Sequence, residues 1–236
     1  MFKKLVLIFL AILIAVPALK ADRRKYVWTY QPVLIAPDAS ELEFYQTTKL
    51  NDIDKWEYQL ELEHGLSPRL DLGVYQIFTQ TEGESFKWDA FQFRFRYRLS
   101  EPGQVAFDPV LYLEYQRKLD LKERNKFESK LLLGKDFDQI NFSVNPLFEF
   151  FWAPGEPKYE WGWDAGLSYS PNYKFSFGVE SISRWGKEGE DDEFAAYFGP
   201  TISYASGEIY YTVGYAWGLN DGSDDARVRF LIGVGL

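Results

Sequence analysis

Residues able to do chemistry are sparse in this chain. There are no cysteines and one histidine, His64. Thiol catalysis and disulfides are therefore excluded. A serine hydrolase needs a Ser–His pair held by an orienting third group. His64 stands beside a Gly65-Leu66-Ser67-Pro68 turn, and the loops supply no second base of that kind. Glu61 and Glu63 are close enough in sequence for acid–base work, but nearby arginines are expected to balance them. The acidic loops 188–193 and 220–225 carry oxygen ligands without the spacing of an EF-hand, and read as solvated loops. No glycine-rich phosphate loop, His/Cys metal cluster or repeat of a few tens of residues is present. No metal, cofactor or enzymatic activity is expected.

The elements that carry these charges alternate strictly. Trp56, Tyr58, Leu60 and Leu62 interleave with Glu57, Gln59, Glu61 and Glu63; after the turn, Leu70, Leu72 and Val74 interleave with Asp71, Gly73 and Tyr75. Successive strand side chains point to opposite faces, so this is a hairpin with one apolar and one charged face. A soluble sandwich would alternate in the same way. The distinction comes from the start of the chain and from the strands that follow.

Residues 1–21 read as a secretory signal peptide: basic Lys3 and Lys4, an apolar run from Leu5 to Val16, and small residues up to Ala21. The run is shorter than the ~20 residues a spanning helix requires. Removing the segment takes three lysines with it, so the formal charge goes from −9 to −12. That balance argues against nucleic-acid partners. Mean hydropathy is negative although 19% of residues are aromatic. A transmembrane barrel combines the two through a polar lumen and aromatic girdles.

Residues 22–39 contain Pro32 and Pro37 and suit no interior strand; they read as a periplasmic lead-in or a lumen plug. Residues 40–236 divide into twelve strands. The first six are Ser40–Thr48, Lys55–His64, Arg69–Gln80, Phe86–Leu99, Val105–Leu119 and Asn125–Lys135. The second six are Ile140–Ala153, Lys158–Ser170, Tyr173–Trp185, Glu193–Ala205, Glu208–Gly218 and Ala226–Leu236. The expected fold is an all-β, twelve-stranded antiparallel transmembrane barrel of outer-membrane type, monomeric, with both termini periplasmic. Compact turns alternate with mostly longer polar loops. Trp56, Trp88, Trp152, Trp161, Trp163, Trp185 and Trp217 all fall near the loop ends of their strands. Their amphipathic rings suit the outer membrane interface.

Reversed parity gives the candidate lumen-lining residues: Glu57, Glu61, Glu63, Asp71, Arg94, Arg96, Arg98, Glu114, Lys130, Glu149, Asp164, Glu180, Arg184, Arg227 and Arg229. Glu61, Gly73 and Arg94 are expected at one level, with Glu63, Asp71 and Arg96 one level nearer the turns. Gly73 would let Glu61 and Arg94 meet across it, forming a salt-bridge ladder that either fills the wall or recognises solute. Strands eight to twelve present Gly162, Gly166, Gly178, Gly199 and Gly214 inward. A passage would follow that side unless Tyr26, Trp28 and Tyr30 fill it.

Three stretches carry a resemblance: Glu41-Leu42-Glu43-Phe44-Tyr45, the run from Trp56 to Leu66, and Arg69-Leu70-Asp71-Leu72-Gly73-Val74-Tyr75. They resemble the opening of a bacterial outer-membrane family associated with the meta-pathway of phenol degradation, whose members are described as transporters. The resemblance covers about a sixth of the chain and brings no catalytic residues. It implies a narrow channel for a small solute, with outer-membrane lipid and the barrel-assembly machinery as partners. The alternatives are a closed structural or surface-binding barrel and, last, a barrel enzyme.

Overall fold

The computed structural model describes residues 23–51, 55–186 and 193–236. The expected signal peptide and most of the 188–193 loop lie outside these residues. The chain forms twelve strands: β1 Ser40–Leu50, β2 Lys55–Ser67, β3 Leu70–Thr81, β4 Lys87–Arg98, β5 Asp108–Lys118 and β6 Asn125–Phe137 in the first half. The second half contributes β7 Ile140–Trp152, β8 Lys158–Tyr169, β9 Phe175–Trp185, β10 Phe194–Ser206, β11 Ile209–Gly218 and β12 Ala226–Gly235. Every boundary lies within three residues of its sequence-based position. Each strand pairs antiparallel with its chain neighbours, and β1 closes on β12 from Glu41↔Gly235 to Leu50↔Ala226. Closure leaves no strand edge unpaired, which a bilayer interior demands.

Strands of 10 to 13 residues, at ~3.3 Å per residue and ~40° of tilt, rise roughly 25–33 Å, enough for the apolar band of a membrane barrel. The outer face carries that band. Phe93, Phe95, Phe148, Phe177, Tyr211 and Val213 are all exposed. So much exposed apolar surface on every side suits lipid rather than water. Among the described residues no helix is long and apolar enough to cross a membrane; the strands make the crossing.

Two features depart from the sequence reading. The β2–β3 turn is tighter than expected: β2 extends three residues to Ser67 and β3 begins at Leu70, leaving Pro68 and Arg69 at the tip, with a bulge between Gly65 and Ser67. This moves the pairing by two residues without changing parity, so Glu63 rather than Glu61 stands opposite Gly73. The β4–β5 connection, residues 99–107, is long although it lies at the turn end. Pro109 at the mouth of β5 and Gly103 at a φ of 78° favour an open excursion over a tight hairpin.

The lipid-facing parity generates a prediction. Val213→Arg, near the middle of β11, should cost ~2–4 kcal/mol of stability in lipid vesicles, whereas Tyr173→Arg at the rim should cost about 1 kcal/mol or less. Denaturant unfolding of the vesicle-inserted protein measures both. Equal tolerance at the two positions would contradict a membrane-embedded band.

Candidate functional site

The lumen is built in two halves. At the turn end, residues 23–39 enter the barrel, rise to mid-height at Trp28 and return to β1. Arg23 donates to the Tyr173 carbonyl at 2.8 Å, and the Lys25 ammonium lies 2.6 Å from the Asp136 carboxylate. Farther in, the Tyr26 hydroxyl reaches the Asn141 carbonyl oxygens, backbone and side chain, at 3.0 and 2.9 Å. The tip is held through its backbone. Glu180 accepts the N–H groups of Val27, Trp28 and Thr29 at 2.9, 2.9 and 2.8 Å. Asn145 accepts from the Tyr30 N–H at 2.6 Å and donates to its carbonyl at 2.9 Å. On the return, Ile35 N–H donates to Asp71 at 3.0 Å, and Asp38 N–H to the Gly65 carbonyl at 2.9 Å. A segment without secondary structure can be buried only if its backbone groups are met, and inward polar side chains meet them here.

The small inward residues of β8 and β11 receive this segment. A Cβ on Gly166 would lie 2.5 Å from the Tyr26 ring, and one on Gly214 would collide with Val27. The space at Gly166 and Gly214 is therefore occupied by bulk from the N-terminal segment, whereas Gly162 and Gly199 face the backbone of neighbouring strands and Gly233 faces the Tyr210 ring.

The β2–β4 ladder forms the opposite side of the same layer. Arg94 is fully buried, with Nη1 2.7 Å from Glu61 and Nη2 2.7 Å from Glu63. Arg96 Nη2 lies 2.7 Å from both Glu63 and Asp71. A Cβ on Gly73 would stand 2.5 Å from the Glu61 carboxylate, so the glycine is what lets Glu61 and Arg94 meet despite the shifted register. Arg24 from the N-terminal segment adds a third guanidinium, 3.7 Å from Glu43 and 3.9 Å over the Tyr30 ring. The oxygens of Glu43, Glu61 and Glu63 lie within 4.8 Å of one another. These three guanidiniums answer them, so the cluster reads as an ionic core rather than a cation site.

Above this layer a cavity of about 410 Å³ opens toward the loop end. Its floor includes Trp28 and Tyr30 of the N-terminal segment with Tyr75, Tyr112 and Ile182 of the wall. Of the candidate lumen residues, Glu57, Glu114, Lys130, Glu149, Asp164, Arg184, Arg227 and Arg229 line it. Glu61, Glu63, Asp71, Arg94 and Arg96 lie in the closed layer beneath, Glu180 is capped by the backbone of residues 27–29, and Arg98 sits at the turn rim bonding the Pro68 carbonyl. Lys126 and Glu128 also line the cavity, with the inward parity of Lys130 that the sequence displayed. Lys126 lies 2.8 Å from Glu128 and 2.7 Å from Glu149; Lys130 lies 2.6 Å from Glu128; Arg184 lies 2.7 Å from Asp164. In the β11–β12 loop, burial raises the Asp224 carboxyl, but the Arg227 guanidinium 2.6 Å away outweighs it and holds the group below its ordinary value.

The seven tryptophans stand at the loop ends of β2, β4, β7, β8, β9 and β11, with Trp161 and Trp185 stacked at 4.4 Å. His64 Nδ1 lies 2.9 Å from the Ser40 hydroxyl, a cross-strand pair with the parity of the outer face. Among the described residues no carboxylate meets the other ring nitrogen, so the pair lacks the orienting member that nucleophile activation needs.

No protein-family model matches the chain, and no curated protein matches it in sequence. Solved structures do resemble it. An outer-membrane channel from Pseudomonas putida F1 is similar at a TM-score of 0.64 and 11% identity, over 89% of this chain and all of the other. The KdgM porin in complex with disordered oligogalacturonate is similar at 0.61 and 10%, over 83% of this chain and 99% of the other. The NanC porin is similar at 0.55 and 12%, over 84% and 99%. The fold is that of outer-membrane channels and porins.

The ladder generates a second prediction. Arg94→Gln leaves Glu61 and Glu63 buried with one guanidinium fewer, which should cost roughly 3–5 kcal/mol. The temperature at which the detergent-folded barrel loses its compact electrophoretic mobility should fall accordingly. An unchanged temperature would remove the ladder from the stability of the fold.

Proposed function

We propose that this protein is a gated outer-membrane channel for a small polar solute, with residues 23–39 as the plug in its closed position. The observation that carries the reading is the division of the lumen: a backbone-tethered segment closes the turn-end half, and a polar cavity of about 410 Å³ remains open to the loops. The porin-type fold supports it. The loop end, ringed by tryptophan, faces the exterior in this reading, and both termini face the periplasm. The partners are then the lipid around the apolar band, the machinery that inserts outer-membrane barrels, and the solute.

The charged wall is fitted to water rather than to an apolar cargo. Lys, Glu, Asp and Arg side chains dominate the cavity lining, and Gln59, Gln92 and Gln116 add amide donors and acceptors. Phenol has one hydroxyl with which to meet this wall, and its ring would displace water from the charged and amide groups without replacing those hydrogen bonds, at a cost for each. A polar solute replaces the water they hold.

Glu180 is the strongest single tether of the plug, since three N–H groups converge on one carboxylate. Glu180→Ala removes charge-assisted hydrogen bonds worth at least ~2 kcal/mol together, which is about a thirtyfold gain in the population of the open state. Single-channel recording in planar bilayers should show rare openings for the wild type and frequent or sustained openings for the variant. Silence in both would overturn the channel reading in favour of a closed barrel that binds at its loop end.

A further inference from the structure

The charge of the cavity is unevenly placed. On the β5–β9 side, Lys126, Lys130 and Arg184 each lie within 2.8 Å of a carboxylate that also faces the cavity. The β12–β1–β2 side is different. It presents Lys49, Lys55, Arg227 and Arg229, with Glu57 the carboxylate among the lining residues of these three strands. The register stacks these cations. Lys49 stands opposite both Lys55 and Arg227, and Arg229 stands one step deeper, opposite Thr47. Like charges on adjacent strands repel; Asp224 of the β11–β12 loop pairs with Arg227 and also acts on Lys49, whereas Arg229, deeper in the wall, has no carboxylate in contact among the described residues.

Arg227 is committed to Asp224 at 2.6 Å. Arg229 meets only neutral groups among the described residues: its Nε donates to Thr47 Oγ1 at 2.8 Å, its Nη1 donates to the Val27 carbonyl at 3.3 Å, and its guanidinium carbon lies 5.8 Å from the Trp28 ring. A guanidinium has five N–H donors in a planar fork matched to a carboxylate or phosphate. Arg229 uses two of them, on the floor of the cavity, with its charge unanswered by contact.

We propose that the β12–β1–β2 wall seats a small organic anion, a solute bearing a carboxylate or a phosphate, and that Arg229 is its specificity-determining contact. The proposal rests on the reading that the loop-side cavity is the solute-facing half of the lumen. The basic wall attracts the anion, Arg229 fixes it at the floor, and the glutamine side chains around the cavity bond its neutral polar groups. Arg229 also donates to Val27 at the tip of the plug. An anion that draws the guanidinium away removes one tether of the plug, so the binding site and the gate share a residue.

The test is calorimetric titration of the full chain in detergent with gluconate, glycerol phosphate and, as the uncharged counterpart, sorbitol. The wild type should bind at least one of the anions, and sorbitol at least tenfold more weakly. Arg229→Gln should weaken anion binding at least tenfold, Arg229→Lys should retain part of it, and Arg117→Gln, a cation bonded to Asn125 near the loop rim, should leave it unchanged. Retained heat-resistant mobility confirms that each variant is folded. Binding of neither anion, equal binding of sorbitol, or full affinity in the folded Arg229→Gln variant would each overturn the proposal. Bilayer recording of the same samples keeps the two readings separate. Anion binding without conductance in wild type or Glu180→Ala leaves the site standing and removes the channel; conductance without anion binding does the reverse.

Discussion

A guanidinium with no access to water must be met by negative charge from the protein itself, and Arg94 is the case around which this lumen is built. It is fully buried, and two carboxylates and the Tyr75 hydroxyl converge on it. Moving such an ion from water into the protein costs several kcal/mol, and only close, multiple contacts offset this. Those contacts dictate the neighbours. Glu61 and Glu63 must share one strand face, Gly73 must leave the space between, and Arg96 must take the second oxygen of Glu63. Asp71 then completes Arg96. The twelve-stranded closure supplies the frame, and the ionic layer makes the middle of the frame solid.

Alternation was the legible part of this fold. A period of two fixes which side of the wall each residue takes, and it survives errors in register because a slip of two residues preserves parity. That is why Glu61 reaches Arg94 although the β2–β3 pairing differs from the one expected. The turn geometry was the illegible part. Whether a hairpin closes at Gly65–Pro68 or at Pro68–Arg69 depends on what approaches Gly65, and the approaching backbone is that of Ile35 and Ala36. No local pattern in β2 announces a contact thirty residues upstream.

The N-terminal segment illustrates the same limit from the other side. Inward glycines on β8 and β11 were readable as unfilled volume, and the aromatics at Tyr26, Trp28 and Tyr30 were readable as unplaced bulk. Joining the two required knowing where the polar groups Asn145 and Glu180 stand. A segment carrying two prolines cannot satisfy its own backbone in a ladder, so its position follows the side chains that offer to do so. The partners of Glu180 were hidden for that reason: a carboxylate in a lumen suggests a cation, and here it meets three amides.

The two halves of the closed layer use largely separate strands. The ladder joins β2, β3 and β4. Residues 23–34 are tethered mainly to β7, β9, β11 and β12, through Asn141, Asn145, Glu180, Thr212 and Arg229. Links to the ladder side come from Ile35 to Asp71, from Arg24 to Tyr45 and Glu43, from the Tyr30 ring 5.9 Å from Arg94, and from the Asp38 and Ala39 backbone to Gly65. In the channel reading proposed above, withdrawing residues 23–34 frees the β7–β12 side while the Arg94 pairs stay intact, and Gly166 and Gly214 then set the width of the path. In that reading the ladder stays in place, and the segment is released when water replaces its hydrogen bonds and its Lys25–Asp136 and Arg24–Glu43 ion pairs.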